Sequence, residues 1–129
     1  MLEIDPFIIL EEEVHNDGDV ILREGSSTDW IYIILDGTVK IQKATHKGPV
    51  TITTLGKNDF VGEMAFLEKG KVPRAASAVA SGEVRLGVLD QDRLTKEYDS
   101  LSPQFRKLVL TLVRRLRYIT EVVVRLAIE

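Results

Sequence analysis

Within FVGEMAFLEKGKVPRAAS, positions 60 to 77, Glu63 and Arg74 stand among residues whose apolar character marks them for burial. Two opposite charges buried together stabilise poorly, because desolvating both costs about as much as their attraction returns. Their types suit a third party instead. Arginine offers a planar, permanently charged fork that matches phosphate oxygens, and a carboxylate beside a phosphate is tolerable where it accepts hydrogen bonds from hydroxyls. A phosphorylated sugar brings both groups. Gly62 lets the backbone approach such a ligand without a Cβ in the way, and EMAFLEK predicts a short helix whose first N–H groups point at the anion. Pro73 holds the chain extended before Arg74, and the small Ala75 and Ala76 leave their own N–H groups open to the same phosphate.

Other chemistries have little to work with. The chain has no cysteine, hence no disulfide framework and no thiolate nucleophile, which suits a reducing cytoplasm. His15 and His46 lie far apart and share no spacing with a cluster of carboxylates, so no metal site is expected, and a metal-dependent barrel enzyme would need a histidine-rich ligand set. No serine sits in a G-x-S-x-G elbow. The reading is therefore of a binding module and not an enzyme. A formal charge of −3 gives no global reason to expect nucleic acid or a membrane surface as partner. The opening MLEIDPFIIL lacks the basic region and long apolar core of a secretion signal, and no run approaches the length of a membrane span.

The positioning elements follow from periodicity. At 129 residues there is room for one domain, 1–129. From about 7 to 90 the chain alternates β-branched runs with glycine punctuation: FIILEEEV, DVILREG, WIYIILDG, TVKIQKA, VTITTL, ASAVA and EVRLGVL. Asp17-Gly18, Asp36-Gly37, Lys47-Gly48-Pro49 and Ser81-Gly82 read as the turns between these strands. After Leu89 the texture changes to helix over 91–128. Asp90 is expected to cap a short helix, and Ser102 with Pro103 behind it to open a long one. Phe105, Val109, Leu112, Leu116, Ile119, Val123 and Leu126 recur in steps of four and three, the seam of a coiled coil. With Leu108, Val113, Val122 and Val124 lying beyond it, the helix is apolar over more surface than one contact needs, so the seam is expected to pair with a second copy. The basic run Arg106, Lys107, Arg114, Arg115, Arg117 and Arg125 is expected to be the solvated flank of that seam. The fold class expected is mainly β with α: an antiparallel, jelly-roll-like β-roll, then a short helix and a long C-terminal helix.

Phe60, Gly62, Glu63, Ala65, Arg74, Ala75 and Ala76 also fall on a known pattern. The stretch resembles the phosphate-binding cassette of the cyclic nucleotide-binding domain family. DGDVILREGSSTDWIYIILDGTVKI is similar to that family's β-roll, with Gly18, Gly25 and Gly37 at its turn positions. The resemblance implies that Glu63 accepts the ribose 2′-hydroxyl, and that Arg74 pairs with the exocyclic oxygens of a cyclic phosphate. The N–H groups of Ala65, Ala75 and Ala76 would complete the phosphate's shell, with Gly62 close to the ribose and Met64 in the same ligand-contacting turn. Ile41, Thr53 and Val61 would line the pocket around sugar and base. Ala75, where relatives that prefer cyclic GMP tend to carry a hydroxyl, favours cyclic AMP. VRRLRYITE resembles the dimer helix of catabolite-activator-type proteins, which would place Arg115 and Thr120 at the base, with Tyr118 as an alternative lid.

The function expected from the resemblance is a cytoplasmic cyclic AMP sensor whose ligand moves the C-terminal helix. It would act as a homodimer toward a protein effector, with no cofactor beyond the ligand. A cyclic GMP sensor and a dimerisation module with a non-binding pocket are the alternatives. The residues after Leu89 are not expected to form a helix-turn-helix reader, a catalytic domain or a membrane helix, so the output is expected to come from protein contact or from a longer chain.

Overall fold

The computed structural model describes residues 3–129. A single 3-10 turn, Pro6–Ile8, opens the fold, with the Asp5 carboxylate accepting from the Phe7 N–H at 3.0 Å. Six strands follow: β1 Ile9–His15, β2 Val20–Leu22, β3 Tyr32–Lys43, β4 Val50–Leu55, β5 Phe60–Val61 and β6 Ser77–Leu89. Helix α1, Glu63–Leu67, lies between β5 and β6, and helices α2, Gln91–Asp99, and α3, Pro103–Ile128, close the chain. Every strand pair is antiparallel, in the order β1-β6-β3-β4, with β2 also on β6 and β5 also on β3.

The two long strands make the roll. Each pairs with one neighbour along its first half and another along its second: β3 with β5 at Tyr32 and Ile33 and with β4 from Val39, β6 with β2 at Ala78 and Val79 and with β1 from Val84. Asp36-Gly37 and Ser81-Gly82, expected as turns, instead bend these continuous strands. The register passes from Asp36↔Arg85 to Thr38↔Ser81, so Gly37 alone faces a three-residue excursion through Gly82. Gly37 has φ +100°, and a Cβ there would lie 2.6 Å from the Glu83 carbonyl oxygen, so the bulge requires glycine. Asp17-Gly18 and the Lys47-Gly48 step are turns as expected.

Alternation along β3 divides the core. Tyr32 and Ile34 point into the roll with Val39, Val61, Val84 and Leu86, while Ile31 and Ile33 face the other way onto Ile8, Phe66 and Leu89. This second cluster is what seats α1 against the sheet. The helix caps match expectation: the Asp90 carboxylate accepts from the Arg93 N–H, and the Ser102 hydroxyl from the Phe105 N–H with Pro103 next in line. Helix α3 lies over β4 and α1, burying Val113 and Val124. Lys47 at the β3–β4 turn donates to the Ile128 carbonyl at 2.6 Å, placing a cation at the negative end of the helix. Phe105, Leu112, Leu116, Ile119 and Leu126 stay on the outside, each at least 46% exposed. Among the described residues no helix is long and apolar enough to cross a membrane.

Candidate functional site

The turn from β5 into α1 is held by Gly62, whose φ of +91° belongs to the left-handed region. A Cβ at this position would sit 2.5 Å from the Trp30 carbonyl oxygen and 3.1 Å from Arg74 Nη1. Glycine is therefore required both by backbone conformation and by the closeness of the arginine. No side chain caps α1, so its first N–H groups have no intrahelical partner. Glu63 is the first residue of the helix.

Arg74 reaches the same place from the far end of the loop. It is 6% exposed, the one charged side chain in the buried set of the described residues. Its Nη2 donates to the Trp30 carbonyl at 2.9 Å, and Nε and Nη2 both lie 3.4 Å from the Thr28 hydroxyl. It makes no ion pair with Glu63 or any other carboxylate among the described residues, and Nη1 has no hydrogen-bond partner there. Burial weighs on both groups. It pushes the Glu63 carboxyl above its ordinary value, partly offset by backbone N–H groups and by Arg74, and it pulls the Arg74 guanidinium below its own. A buried cation and a half-buried carboxylate kept without mutual neutralisation are arranged for something that pairs with each.

The segment after Arg74 is fixed by a separate set of contacts. The Arg74 N–H donates to Ser26 O and its carbonyl accepts from the Gly25 N–H, both at 2.9 Å. Lys43 Nζ, at the end of β3, donates to the Ala75 carbonyl at 3.0 Å and to Glu24 at 3.1 Å, and the other oxygen of Glu24 accepts from the Ala44 N–H. In a trans peptide the carbonyl and the following N–H point to opposite sides. Pinning the Ala75 oxygen toward Lys43 therefore turns the Ala76 N–H the other way.

These parts surround one cavity of about 390 Å³. Of the residues singled out from sequence, Ile41, Thr53, Val61, Gly62, Glu63, Met64, Ala65, Arg74, Ala75, Ala76 and Thr120 line it. Arg115 does not. It is exposed on α3, outside the lining, and Tyr118 is 61% exposed and also outside. The helix instead offers Leu116, Arg117, Ile119, Thr120 and Val123. Arg117 was not anticipated as a site residue: its Nε donates to Glu68 at 2.8 Å and its Nη1 to the Pro73 carbonyl at 3.2 Å. One side chain of α3 thus holds both ends of the loop between α1 and Arg74. Ile52, Leu55, Leu22 and Ala78 complete the apolar wall. Among the described residues no group of His, Cys, Asp and Glu could hold a metal ion.

Comparison with known proteins agrees with this geometry. The family model of the cyclic nucleotide-binding domain matches residues 12–100. The CRP-like cAMP-activated global transcriptional regulator of Mycobacterium tuberculosis is 34% identical over 101 residues, which cover 78% of this chain and 44% of that protein. The cAMP-dependent protein kinase type II regulatory subunit of Drosophila melanogaster is 35% identical over 82 residues, 63% of this chain and 21% of that one. Among solved structures, the cGMP-bound form of the EAL enzyme Bd1971 superposes with a TM-score of 0.77 at 28% identity, over 83% of this chain and 28% of that chain. The chain spans less than half the length of each of these relatives. The matched residues run from β1 through α2 and contain the whole 60–77 turn with its uncompensated arginine, and on that ground the chain belongs to the cyclic nucleotide-binding domain family.

Proposed function

We propose that the chain is a cyclic AMP-binding sensor module without chemistry of its own, in which ligand in the 390 Å³ cavity biases the position of α3. The observation that carries this is the buried, unpaired Arg74 facing the same cavity as Glu63. A cyclic phosphate supplies Nη1 with an oxygen, and a ribose hydroxyl gives the carboxylate a donor. Ala75 brings no hydroxyl to the base side and favours cyclic AMP over cyclic GMP. The test is calorimetric titration of nucleotide-free protein with each nucleotide. Saturable binding favouring cyclic AMP is expected, and absence of binding by the empty protein would overturn the proposal.

Coupling to α3 has a concrete path. Arg117 bridges Glu68 and Pro73, so a cassette that tightens around phosphate pulls directly on the helix. The ligand selects between helix positions only as far as its affinity for them differs. Leu116, Ile119 and Val123 line the cavity and also stand on the exposed seam, which we assign to pairing with a second copy. The reading places the module in the cytoplasm, acting on a protein effector and not on nucleic acid or membrane.

Two results follow for individual residues. Lys43→Met frees the Ala75 carbonyl, and cyclic AMP affinity should fall about tenfold, the worth of one hydrogen bond from a charged donor. The Ala76 amide resonance of the complex should move at the same time. Lys43→Arg should restore part of the affinity, and an unchanged affinity in the methionine variant would remove Lys43 from the site.

Glu63 gives a pH signature. Its folded-state value is raised, so its contribution to stability is complete below the unfolded value and is lost as pH rises through the folded one. At neutral pH the partly desolvated carboxylate weighs against folding. Glu63→Gln should therefore raise the melting temperature of ligand-free protein at neutral pH, the gain fading on acidification, while cyclic AMP binds about tenfold more weakly for want of a charged acceptor. A variant that melts lower than the parent at neutral pH would contradict the burial argument.

A further inference from the structure

At the C-terminal end of α1, sharing no lining residue with the nucleotide cavity, lies a larger groove of about 560 Å³, walled by the loop after α1, the end of α2 and the first half of α3. Helix α3 presents to it Pro103, Arg106, Lys107, Leu110 and Arg114, a spacing of three and four that puts them on one face. The sequence suggested that these cations are the solvated flank of a coiled-coil seam. Lys107 and Arg114 are exposed as expected, and together with the half-buried Arg106 they line the groove beside Lys71 and Lys69 of the loop.

Neutralisation inside the groove is incomplete. Lys69 pairs with Asp99 at 2.7 Å, and Glu68 is taken by Arg117. Lys71, Arg106, Lys107 and Arg114 have neither an ion pair nor a side-chain hydrogen bond among the described residues. Four like charges around one concavity repel one another, a cost that a bound anion reverses. A second observation is independent of charge. Arg106 Nε and Tyr98 Oη, the solvent-shielded side-chain polar atoms left without a hydrogen-bond partner among the described residues, both belong to residues of this groove. Such atoms are uncommon because each forfeits a hydrogen bond it had in water.

We propose that this groove is a second anion site, distinct from the nucleotide cavity, for a small compound carrying two or more phosphate groups. The lining supplies donors from arginine forks and ammonium groups, while its one carboxylate, Glu68, is already engaged. That balance suits phosphate, whose oxygens only accept. More than one phosphate is needed to match four unpaired cations. The wall shared with α1 and Glu68 also puts this anion in contact with the element that Arg117 ties to the nucleotide cassette.

The probes are inorganic tripolyphosphate and inositol hexakisphosphate, titrated into the full chain at low ionic strength, where surface charges are least screened. Neither probe carries a base or a ribose, and the tighter of the two tells whether the natural source is a condensed phosphate or an organic ester. One equivalent should bind. Combining Arg106→Gln with Arg114→Gln should weaken binding at least about tenfold, the effect of losing charge-assisted hydrogen bonds. Arg85→Gln with Arg93→Gln, which removes exposed arginines already paired with Glu12 and Asp5, should bind as the parent does. Melting separates folding from binding: the groove variant should melt no lower than the parent, and tripolyphosphate should raise the melting temperature of the parent and of the control variant but not of the groove variant. Failure of both probes to bind overturns the proposal. So does binding that survives the groove variant, or an equal loss in the control variant.

Discussion

Arg74→Ala is expected to raise the dissociation constant for cyclic AMP by about 10²- to 10³-fold, the effect of removing a charge-assisted, bidentate-capable partner from an anion in a desolvated site. The same substitution should barely lower the melting temperature of the ligand-free protein. The guanidinium loses its bonds to Trp30 and Thr28, but a buried cation without a carboxylate partner goes with them. The two effects oppose each other in folding and add nowhere in binding, where only the loss counts. Calorimetry and a melting curve on one sample separate them. A variant that binds as well as the parent would show that phosphate does not sit against Arg74, and would overturn the assignment of the cavity. Arg74→Lys should recover little, since an ammonium cannot hold Trp30 and Thr28 while presenting another donor in the same plane.

The chemistry of this site was legible because it is local. Gly62, Glu63, Arg74, Ala75 and Ala76 lie within one stretch, and each residue type carries its reason at its own position. The capped helices were legible on the same ground, since Asp90 and Ser102 act on N–H groups three residues on. What could not be read was long-range. Asp36-Gly37 and Ser81-Gly82 carry turn chemistry, but a glycine with positive φ serves a bulge as well as a turn, and only the opposed strand decides between them. The Arg117–Glu68 pair joins residues that no periodicity relates. Arg115 was placed at the base while Arg117 lines the cavity, and a helix at 3.6 residues per turn separates those positions by about 200°. Predicting that a helix packs on a site is thus far easier than predicting which of its faces does so.

That distinction matters most for the outer face of α3. The seam residues divide into a middle group, Leu116, Ile119 and Val123, that also lines the cavity, and the rest, the half-buried Val109 and the exposed Phe105, Leu112 and Leu126, that do not. Substituting the middle group, or cutting the helix before it, would damage the cavity and the seam together. Leu112→Glu with Leu126→Glu touches the seam alone. Leu112 and Leu126 are 54% and 63% exposed in the single chain, so their apolar surface is left for a partner. Withdrawing four such leucines from a symmetric pair of helices costs on the order of 4 kcal/mol, about 10³-fold in the dimer dissociation constant, before the introduced carboxylates repel one another. The parent chain is expected to sediment as a dimer at micromolar concentration and the double variant as a monomer. A monomeric parent, or a variant that stays dimeric, would refute the pairing. The monomeric variant then measures coupling. If dimerisation presses the middle group against bound cyclic AMP, saturating cyclic AMP must tighten the parent dimer by the square of the factor by which the variant loses ligand affinity, one factor for each of the two sites, because linkage between two binding equilibria is reciprocal. Equal affinity in monomer and dimer would mean that the seam holds two sensors together without hearing either, and the signal would have to leave through Arg117 and the cassette instead.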